Sequence, residues 1–127
     1  MHILIVEDEE KLRYALIRML EQHGHTTCWA STGEGALRLL RSEPVGLMLL
    51  DMKLPDRSGW DVRRDQLRDP IMASVPVIVI SGMSVDAVRA TATVNPLATV
   101  QLVMTKPIDT EQLLRAIVHI EALTKIS

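Results

Sequence analysis

One stretch of the chain decides the fold, and it reads Leu47-Met48-Leu49-Leu50-Asp51-Met52-Lys53-Leu54-Pro55-Asp56-Arg57-Ser58-Gly59. Its apolar start predicts a strand over residues 46–50, and Pro55 and Gly59 predict a loop after that strand. Asp51 stands where the buried strand meets the loop. Because a carboxylate contributes nothing to apolar packing, we expect Asp51 to serve chemistry rather than the core.

Three other apolar runs, residues 3–6, 77–80 and 99–104, also end at polar side chains. In an open parallel sheet the carboxyl ends of the strands meet at one edge, and ligands bind beyond that edge. The sequence therefore predicts a polar site assembled from strand ends. The groups that we expect there are Glu7, Asp8, Asp51, Ser81 and Lys106.

Segments with helical periodicity separate the predicted strands. The first helix carries apolar residues on one face, and Gly24 follows it as a C-cap glycine. Residues 26–29 are a weaker strand, and Ser31-Thr32-Gly33-Glu34 has the pattern of a capping box that opens a second helix. The third predicted helix begins near Ser58 or Gly59 and closes at Asp69-Pro70. The fourth covers residues 85–94 and ends at Asn95-Pro96, and the last begins at Asp109.

The alternation of strands and helices determines the fold class. It predicts βαβ units with right-handed crossovers, and therefore a doubly wound α/β domain around a parallel sheet. The chain has 127 residues and contains no linker, repeat or low-complexity stretch. We therefore expect a single domain over residues 1–127.

The composition excludes several classes of function. The chain has a net charge of −2, whereas a nucleic-acid-binding domain usually carries a basic surface. We therefore expect no direct contact with nucleic acid. No stretch reaches the roughly 20 apolar residues of a membrane span, and the first predicted strand leaves no room for a signal peptide. We expect no membrane partner and a cytoplasmic location. The single cysteine, Cys28, cannot form an internal disulfide and is predicted to be a buried thiol.

The polar groups at the strand ends also have ordinary structural explanations. Glu7 and Asp8 could cap a helix, and Asp51 could cap a turn. Ser81 could be a turn residue, and Lys106 could be a surface charge. Three crowded acids nevertheless favour a bound cation, and Mg²⁺ prefers such oxygen ligands. A cation and a nearby amine would also let a carboxylate attack a phosphoryl donor, so the groups together predict phosphoryl transfer.

Four segments at the strand ends match a known family. They are Ile3-Leu4-Ile5-Val6-Glu7-Asp8-Glu9, Asp51-Met52-Lys53-Leu54-Pro55-Asp56-Arg57-Ser58-Gly59, Pro76-Val77-Ile78-Val79-Ile80-Ser81-Gly82 and Thr105-Lys106-Pro107-Ile108. In this order the chain resembles the receiver domain of a two-component response regulator over essentially its whole length. The resemblance implies a flavodoxin-like (βα)5 three-layer sandwich whose five parallel strands have the order 2-1-3-4-5.

The resemblance implies a signalling role rather than that of an enzyme. Asp51 would accept a phosphoryl group from a sensor histidine kinase or a histidine phosphotransfer protein. Lys106 would pair with the phosphoryl group, and Ser81 would be the switch hydroxyl that moves toward it. Such a domain catalyses only its own phosphotransfer and dephosphorylation.

The resemblance also implies a Mg²⁺ site. Asp8 and Asp51 would bind the ion through their carboxylates, and Lys53 would bind it through its backbone carbonyl. Glu7 would act mostly through a bound water molecule.

One position departs from the family pattern. Receivers often have Tyr or Phe three residues before the lysine as a rotating switch, and this chain has Val103 there. We therefore expect output to an unknown downstream protein through backbone shifts or another surface, with a homodimer as a further option. A stand-alone receiver and a receiver from a hybrid kinase or larger regulator both fit the sequence.

Two other functions stay open. One is an interaction module that has the receiver fold but impaired switching. The reason to consider it is Val103, which stands where the family often has an aromatic residue. The other is a phosphatase with an aspartyl-phosphate intermediate. Such enzymes commonly have a second aspartate two residues after the nucleophile, where this chain has Lys53.

Two weaker signals have structural interpretations. His23-Gly24-His25 could ligate a metal, but we interpret it as a surface turn. Arg63-Arg64 is interpreted as a solvated helix face rather than a docking site.

Overall fold

The computed structural model describes residues 1–91 and 100–126, and within them five strands alternate with helices. The strands are β1 (His2–Val6), β2 (Thr26–Ala30), β3 (Leu47–Asp51), β4 (Val77–Ser81) and β5 (Leu102–Thr105). The helices are α1 (Glu10–Gln22), α2 (Gly33–Ser42), α3 (Gly59–Leu67), α4 (Pro70–Ala73), α5 (Val85–Ala90) and α6 (Thr110–Ile126).

All five strands form one parallel sheet in the order β2-β1-β3-β4-β5. The predicted doubly wound α/β fold with strand order 2-1-3-4-5 is therefore confirmed. Asp51 pairs with Ile80, and Ser81 pairs with Thr105, so neighbouring strands end at nearly the same level. This register brings the predicted site residues to one edge of the sheet.

Aliphatic side chains fill the space on both sides of the sheet. Ile3 and Ile5 of β1 pack with α1 and α6, whereas Leu4 and Val6 pack on the opposite side with α2 and α3. Because β1, β3 and β4 are covered on both faces, their sequences are continuous apolar runs rather than alternating ones. Each fully buried leucine or isoleucine contributes about 1.5–3 kcal/mol, so the core forms with few aromatic residues.

The start of α2 corrects the predicted capping box. Thr32, not Ser31, is the N-cap, and its hydroxyl oxygen accepts a hydrogen bond from the Gly35 amide at 3.0 Å. The predicted box needed the Glu34 amide as a donor to Ser31. That amide instead donates to the Asp56 carboxylate at 3.1 Å, so the cap moves by one residue.

The segment after α3 contains a helix that the sequence analysis missed. The predicted start of α3 is confirmed, since Ser58 caps it and forms a capping box with Asp61. Asp69-Pro70 was expected only to close this helix. It instead begins the one-turn helix α4, in which Asp69 is the N-cap and proline occupies the first turn, where its missing N–H costs nothing.

Arg63 was predicted to be solvated, and that prediction is wrong. Its side chain is 2% exposed, whereas Arg64 pairs with Asp61 at the surface. Arg63 Nη1 donates to Gln66 Oε1 at 2.7 Å, and burial lowers the pKa of the Arg63 guanidinium. Gln66 is itself fully buried and in turn donates to the carbonyls of Met72 and Val75.

Several predicted element ends are confirmed, and others lie outside the described residues. Gly24 adopts a φ of 87° after α1, as a C-cap glycine does, and the histidines beside it lie in that turn. The predicted helix over residues 85–94 is shorter in the structure, where α5 ends at Ala90. Its predicted terminator, Asn95-Pro96, lies outside the described part of the chain. The last helix begins at Thr110, directly after the predicted Asp109.

The second strand is at the edge of the sheet, which corrects the prediction for Cys28. The thiol is only half-buried, and the neighbouring Trp29 side chain is 49% exposed. An edge strand lacks a neighbour on one side, so its side chains are less covered than those of β1 or β3.

Among the described residues, no helix combines the length and apolar character that crossing a membrane requires.

Candidate functional site

Asp51 lies at the end of β3, and the loop that follows fixes its position. The carboxylate is nearly buried, with the residue 4% exposed, and its Oδ1 accepts a hydrogen bond from the Lys53 amide at 3.2 Å. The loop folds back so that the Gly59 amide donates to the Met52 carbonyl at 2.8 Å. A Cβ atom at Gly59 would lie 2.7 Å from the Asp51 carbonyl oxygen, so this close approach requires glycine.

Lys106 reaches the same place from the end of β5. Its Nζ is 2.8 Å from Glu7 Oε1 and 3.3 Å from Asp51 Oδ2, and its amide donates to the Ser81 carbonyl at 2.7 Å. The Lys106-Pro107 peptide bond is cis. Burial disfavours the ammonium, but the contacts with Glu7 and Asp51 outweigh that effect and raise the pKa of Lys106. The amine is therefore a stable positive charge at neutral pH.

Glu7, Asp8 and Asp51 form an acidic group in which one carboxylate oxygen from each residue lies within 4.8 Å of the others. Glu7 is 1% exposed, whereas Asp8 is open to solvent. Glu7 Oε2 accepts the Glu9 amide, but Oε1 lacks a well-directed hydrogen bond despite its contact with Lys106. Buried oxygen with spare acceptor capacity beside two further carboxylates fits a hydrated hard cation such as Mg²⁺.

These groups face a shallow cleft of about 320 Å³. Five of the predicted site residues line it, namely Glu7, Asp8, Asp51, Lys53 and Lys106. The cleft is also lined by four residues that were not predicted as site residues, Glu9, Leu54, Pro55 and Gly82. Each stands within two residues of a predicted site residue, so the loop positions after each strand end were the available signal.

Ser81 lies beside the cleft rather than in its lining. The residue is 2% exposed, and its Oγ accepts a hydrogen bond from the Met83 amide at 3.0 Å. Ser81 lines a neighbouring cavity of about 450 Å³, which shares Lys53 and Gly82 with the cleft and extends to Trp60 and Thr91. The structure thus brings Ser81 next to the other predicted residues through a shared wall.

Val103 is not part of the cleft. Its side chain is half-buried and packs against the core on the α2 and α3 side of the sheet. No aromatic ring stands at this position, so the cavity beside Ser81 is not filled or vacated by a ring from β5.

Comparison with known proteins gives one consistent result. Residues 3–118 match the model of the response regulator receiver domain. Protein PilH from Pseudomonas aeruginosa is 30% identical over 115 residues, which cover 91% of this chain and 93% of PilH. Against several transcriptional regulators, the chain matches only 35% to 38% of their length.

Solved structures show the same fold. A sensor protein from Polaromonas sp. JS666 superposes with a TM-score of 0.86 at 28% identity, covering 95% of this chain and 96% of that one. The response regulator protein TrrA from Thermotoga maritima, solved in complex with Mg²⁺-BeF, superposes with a TM-score of 0.81 at 23% identity. The aligned region covers 94% of this chain and 97% of TrrA.

Proposed function

The chain belongs to the response regulator receiver domain family, and we propose that it is a phosphorylation-dependent signalling switch whose phosphoacceptor is Asp51. One observation carries the proposal. Asp51 Oδ2 lies 3.3 Å from the Lys106 ammonium, inside the acidic group that it forms with Glu7 and Asp8. A nucleophile and the groups that offset phosphoryl charge therefore share one solvent-accessible cleft.

The proposed reaction transfers a phosphoryl group from a phosphohistidine to Asp51. A carboxylate oxygen of Asp51 forms the new bond to phosphorus while the bond from phosphorus to the histidine nitrogen breaks. The histidine keeps the bonding electron pair and takes a proton. Lys53 donates its amide to Asp51 Oδ1 and holds the carboxylate in place, and the Lys106 ammonium stabilises charge on the phosphoryl oxygens.

Mg²⁺ is the proposed cofactor, and it would neutralise phosphoryl charge as the donor approaches the anionic nucleophile. Asp8 and Asp51 would hold it through carboxylates, Lys53 through its backbone carbonyl, and Glu7 mostly through water. The geometry that supports this set is the close grouping of the three acids. The Mg²⁺-BeF complex of TrrA, which shares this fold, gives further support.

Ser81 is the proposed switch residue. Its Oγ is used as an acceptor by the Met83 amide, which leaves the hydroxyl proton free to be donated. Donation to a phosphoryl oxygen on Asp51 would shift the 81–83 turn, which forms part of the wall of the cavity that Trp60 also lines. Because Val103 provides no rotating ring, we propose that the output passes through this backbone shift.

We further propose that residues 1–127 constitute one receiver domain in the cytoplasm. Its phosphoryl donor would be a sensor histidine kinase or a histidine phosphotransfer protein. Its output would go to a downstream protein, and a phosphorylation-linked homodimer is compatible with this role. Neither nucleic acid nor a membrane is a proposed partner of this chain.

The test is a mass measurement after incubation with acetyl phosphate and Mg²⁺. We expect the wild-type chain to gain the mass of one phosphoryl group, and Asp51→Asn to gain none. Asp56→Asn is the matched control, because Asp56 belongs to the same loop but points its carboxylate at the start of α2. An adduct that persists in Asp51→Asn would overturn the assignment of the acceptor.

A second candidate function, an interaction module with impaired switching, is favoured by Val103 alone. It predicts no adduct under these conditions and no change of Trp60 fluorescence on adding beryllofluoride. The phosphatase alternative predicts steady hydrolysis of a phosphomonoester added in a separate assay. These outcomes separate the three functions.

A further inference from the structure

A second cluster of potential metal ligands lies at the opposite end of the sheet from the acidic cleft. His2 begins β1, Cys28 is in the middle of β2, and Glu43 is the C-cap residue of α2. One ligand atom from each lies within 4.8 Å of the others. The strand register explains the meeting, since His2 pairs with Thr26 and Leu4 pairs with Cys28, which puts both side chains on the face that α2 covers.

The three side chains form a continuous chain of polar contacts. His2 Nε2 is 2.6 Å from Glu43 Oε2, and the Cys28 sulfur lies within 4.8 Å of a Glu43 carboxylate oxygen. The other ring nitrogen, His2 Nδ1, is 2.6 Å from Thr26 Oγ1. Burial, followed by the contact with Glu43, raises the pKa of Cys28 to about 12. Without a metal ion, the thiol is therefore protonated at neutral pH.

The donor set points to a transition-metal ion. Thiolate sulfur and imidazole nitrogen are ligands of Zn²⁺ and related ions, and a carboxylate completes sets of this kind. Mg²⁺ prefers oxygen and would not select a thiol. Thr26 occupies the position of a supporting group, because a hydrogen bond from His2 Nδ1–H to its hydroxyl would direct the Nε2 lone pair toward Cys28 and Glu43.

We propose that His2, Cys28 and Glu43 bind one Zn²⁺ or a similar divalent transition-metal ion. Binding forms a bond from the metal to Cys28 Sγ and releases the thiol proton to solvent. Ligands of tetrahedral zinc stand about 3.3–3.6 Å apart, so the Glu43 carboxylate must move away from His2 by less than about 1 Å. The Glu43 side chain is 38% exposed at a helix end, which leaves it free to do so.

Cobalt is the probe for this site, because Co²⁺ bound to a thiolate has an intense near-ultraviolet charge-transfer absorption. Cys28 is the single cysteine of the chain, so that absorption reports this cluster alone. We expect it to saturate at one equivalent of Co²⁺ and to disappear when one equivalent of Zn²⁺ is added. Excess Mg²⁺ in the buffer keeps the acidic cleft from competing for the probe.

The decisive variants leave the cysteine in place. We expect His2→Gln and Glu43→Gln each to lower Co²⁺ affinity at least about tenfold, with proper folding checked by circular dichroism without metal. His23→Gln and Glu34→Gln are the matched controls, since both residues are exposed and lie outside the cluster, and we expect both to bind as the wild type does.

Two outcomes would overturn the proposal. One is the absence of a charge-transfer band at stoichiometric Co²⁺, which would leave the cluster as a hydrogen-bonded network. The other is a band whose titration is unchanged in folded His2→Gln and Glu43→Gln. Neither outcome depends on phosphorylation of Asp51, so this test and that of the proposed function fail separately.

Discussion

The two ends of the same sheet are built in different ways. At the carboxyl end, Asp51 is the last residue of β3 and Lys106 directly follows β5, and their charged groups face one cleft. At the amino end, apart from the cluster of His2, Cys28 and Glu43, Gln66 near the end of α3 donates to two backbone carbonyls. These belong to Met72 in α4 and to Val75 in the loop that follows it. The cleft places charges where a ligand can reach them, whereas the Gln66 contacts satisfy buried backbone groups.

This difference teaches which property each end controls. The carboxylates in the cleft are close enough to repel one another, so under the proposed function we expect them to serve ligand binding rather than folding. Gln66 is fully buried, so no ligand can reach it, and loss of its hydrogen bonds would leave buried backbone carbonyls without partners. Substitutions of the charged residues in the cleft should therefore change chemistry more than stability, and substitution of Gln66 should do the reverse.

The largest expected effect is that of Lys106→Met on phosphorylation. Loss of the ammonium removes a preorganised charge beside Asp51, so we expect the rate of phosphorylation by acetyl phosphate to fall about 100- to 1,000-fold. Lys11→Met is the control, because that lysine is exposed and does not line the cleft. Equal losses of rate in the two variants, measured by mass spectrometry over time, would contradict the role of Lys106.

Gln66→Leu should lower stability and leave phosphorylation unchanged, which is the opposite of the expectation for Lys106→Met. The substitution keeps an apolar stem but removes donors from two buried carbonyls and the acceptor of Arg63, so we expect a loss of about 2–3 kcal/mol in the free energy of unfolding. Urea denaturation measures it, and phosphorylation of the folded variant should be unchanged. Exposed Gln112→Leu should cost under about 0.5 kcal/mol. A slower phosphorylation in folded Gln66→Leu would show that the two ends are coupled.

The contrast between the ends also explains what the sequence could predict. Glu7, Asp51 and Lys106 were predictable because each one ends an apolar run, and parallel strands bring such ends together without any further contact being known. Thr32 was missed as the N-cap because the competing partner, Asp56, is more than twenty residues away in sequence. Burial of Arg63 was missed for a different reason. Its partner Gln66 is only three residues away, but Gln66 is held inside by the carbonyls of Met72 and Val75, which the unforeseen helix α4 positions.

A smaller effect is expected when one acid of the cleft is neutralised. Glu7→Gln removes a nearly buried negative charge from the acidic group, so we expect Mg²⁺ affinity measured by isothermal titration calorimetry to fall about tenfold. Glu10→Gln is the control, because Glu10 lies in the first turn of α1 and does not line the cleft. If both variants bound Mg²⁺ equally, general surface charge rather than the Glu7 position would account for binding.

The smallest effect tests the corrected cap at the start of α2, which lies at the carboxyl end but has a purely structural task. Thr32→Ala removes the acceptor of the Gly35 amide and should cost about 1 kcal/mol of stability in urea denaturation. Ser31→Ala is the matched control and should cost almost nothing, since the Glu34 amide that a Ser31 cap would use is held by Asp56. The reverse ranking would restore the capping box that the sequence suggested. Unchanged phosphorylation in both variants would show that residues at the carboxyl end affect chemistry only where their charges reach the cleft.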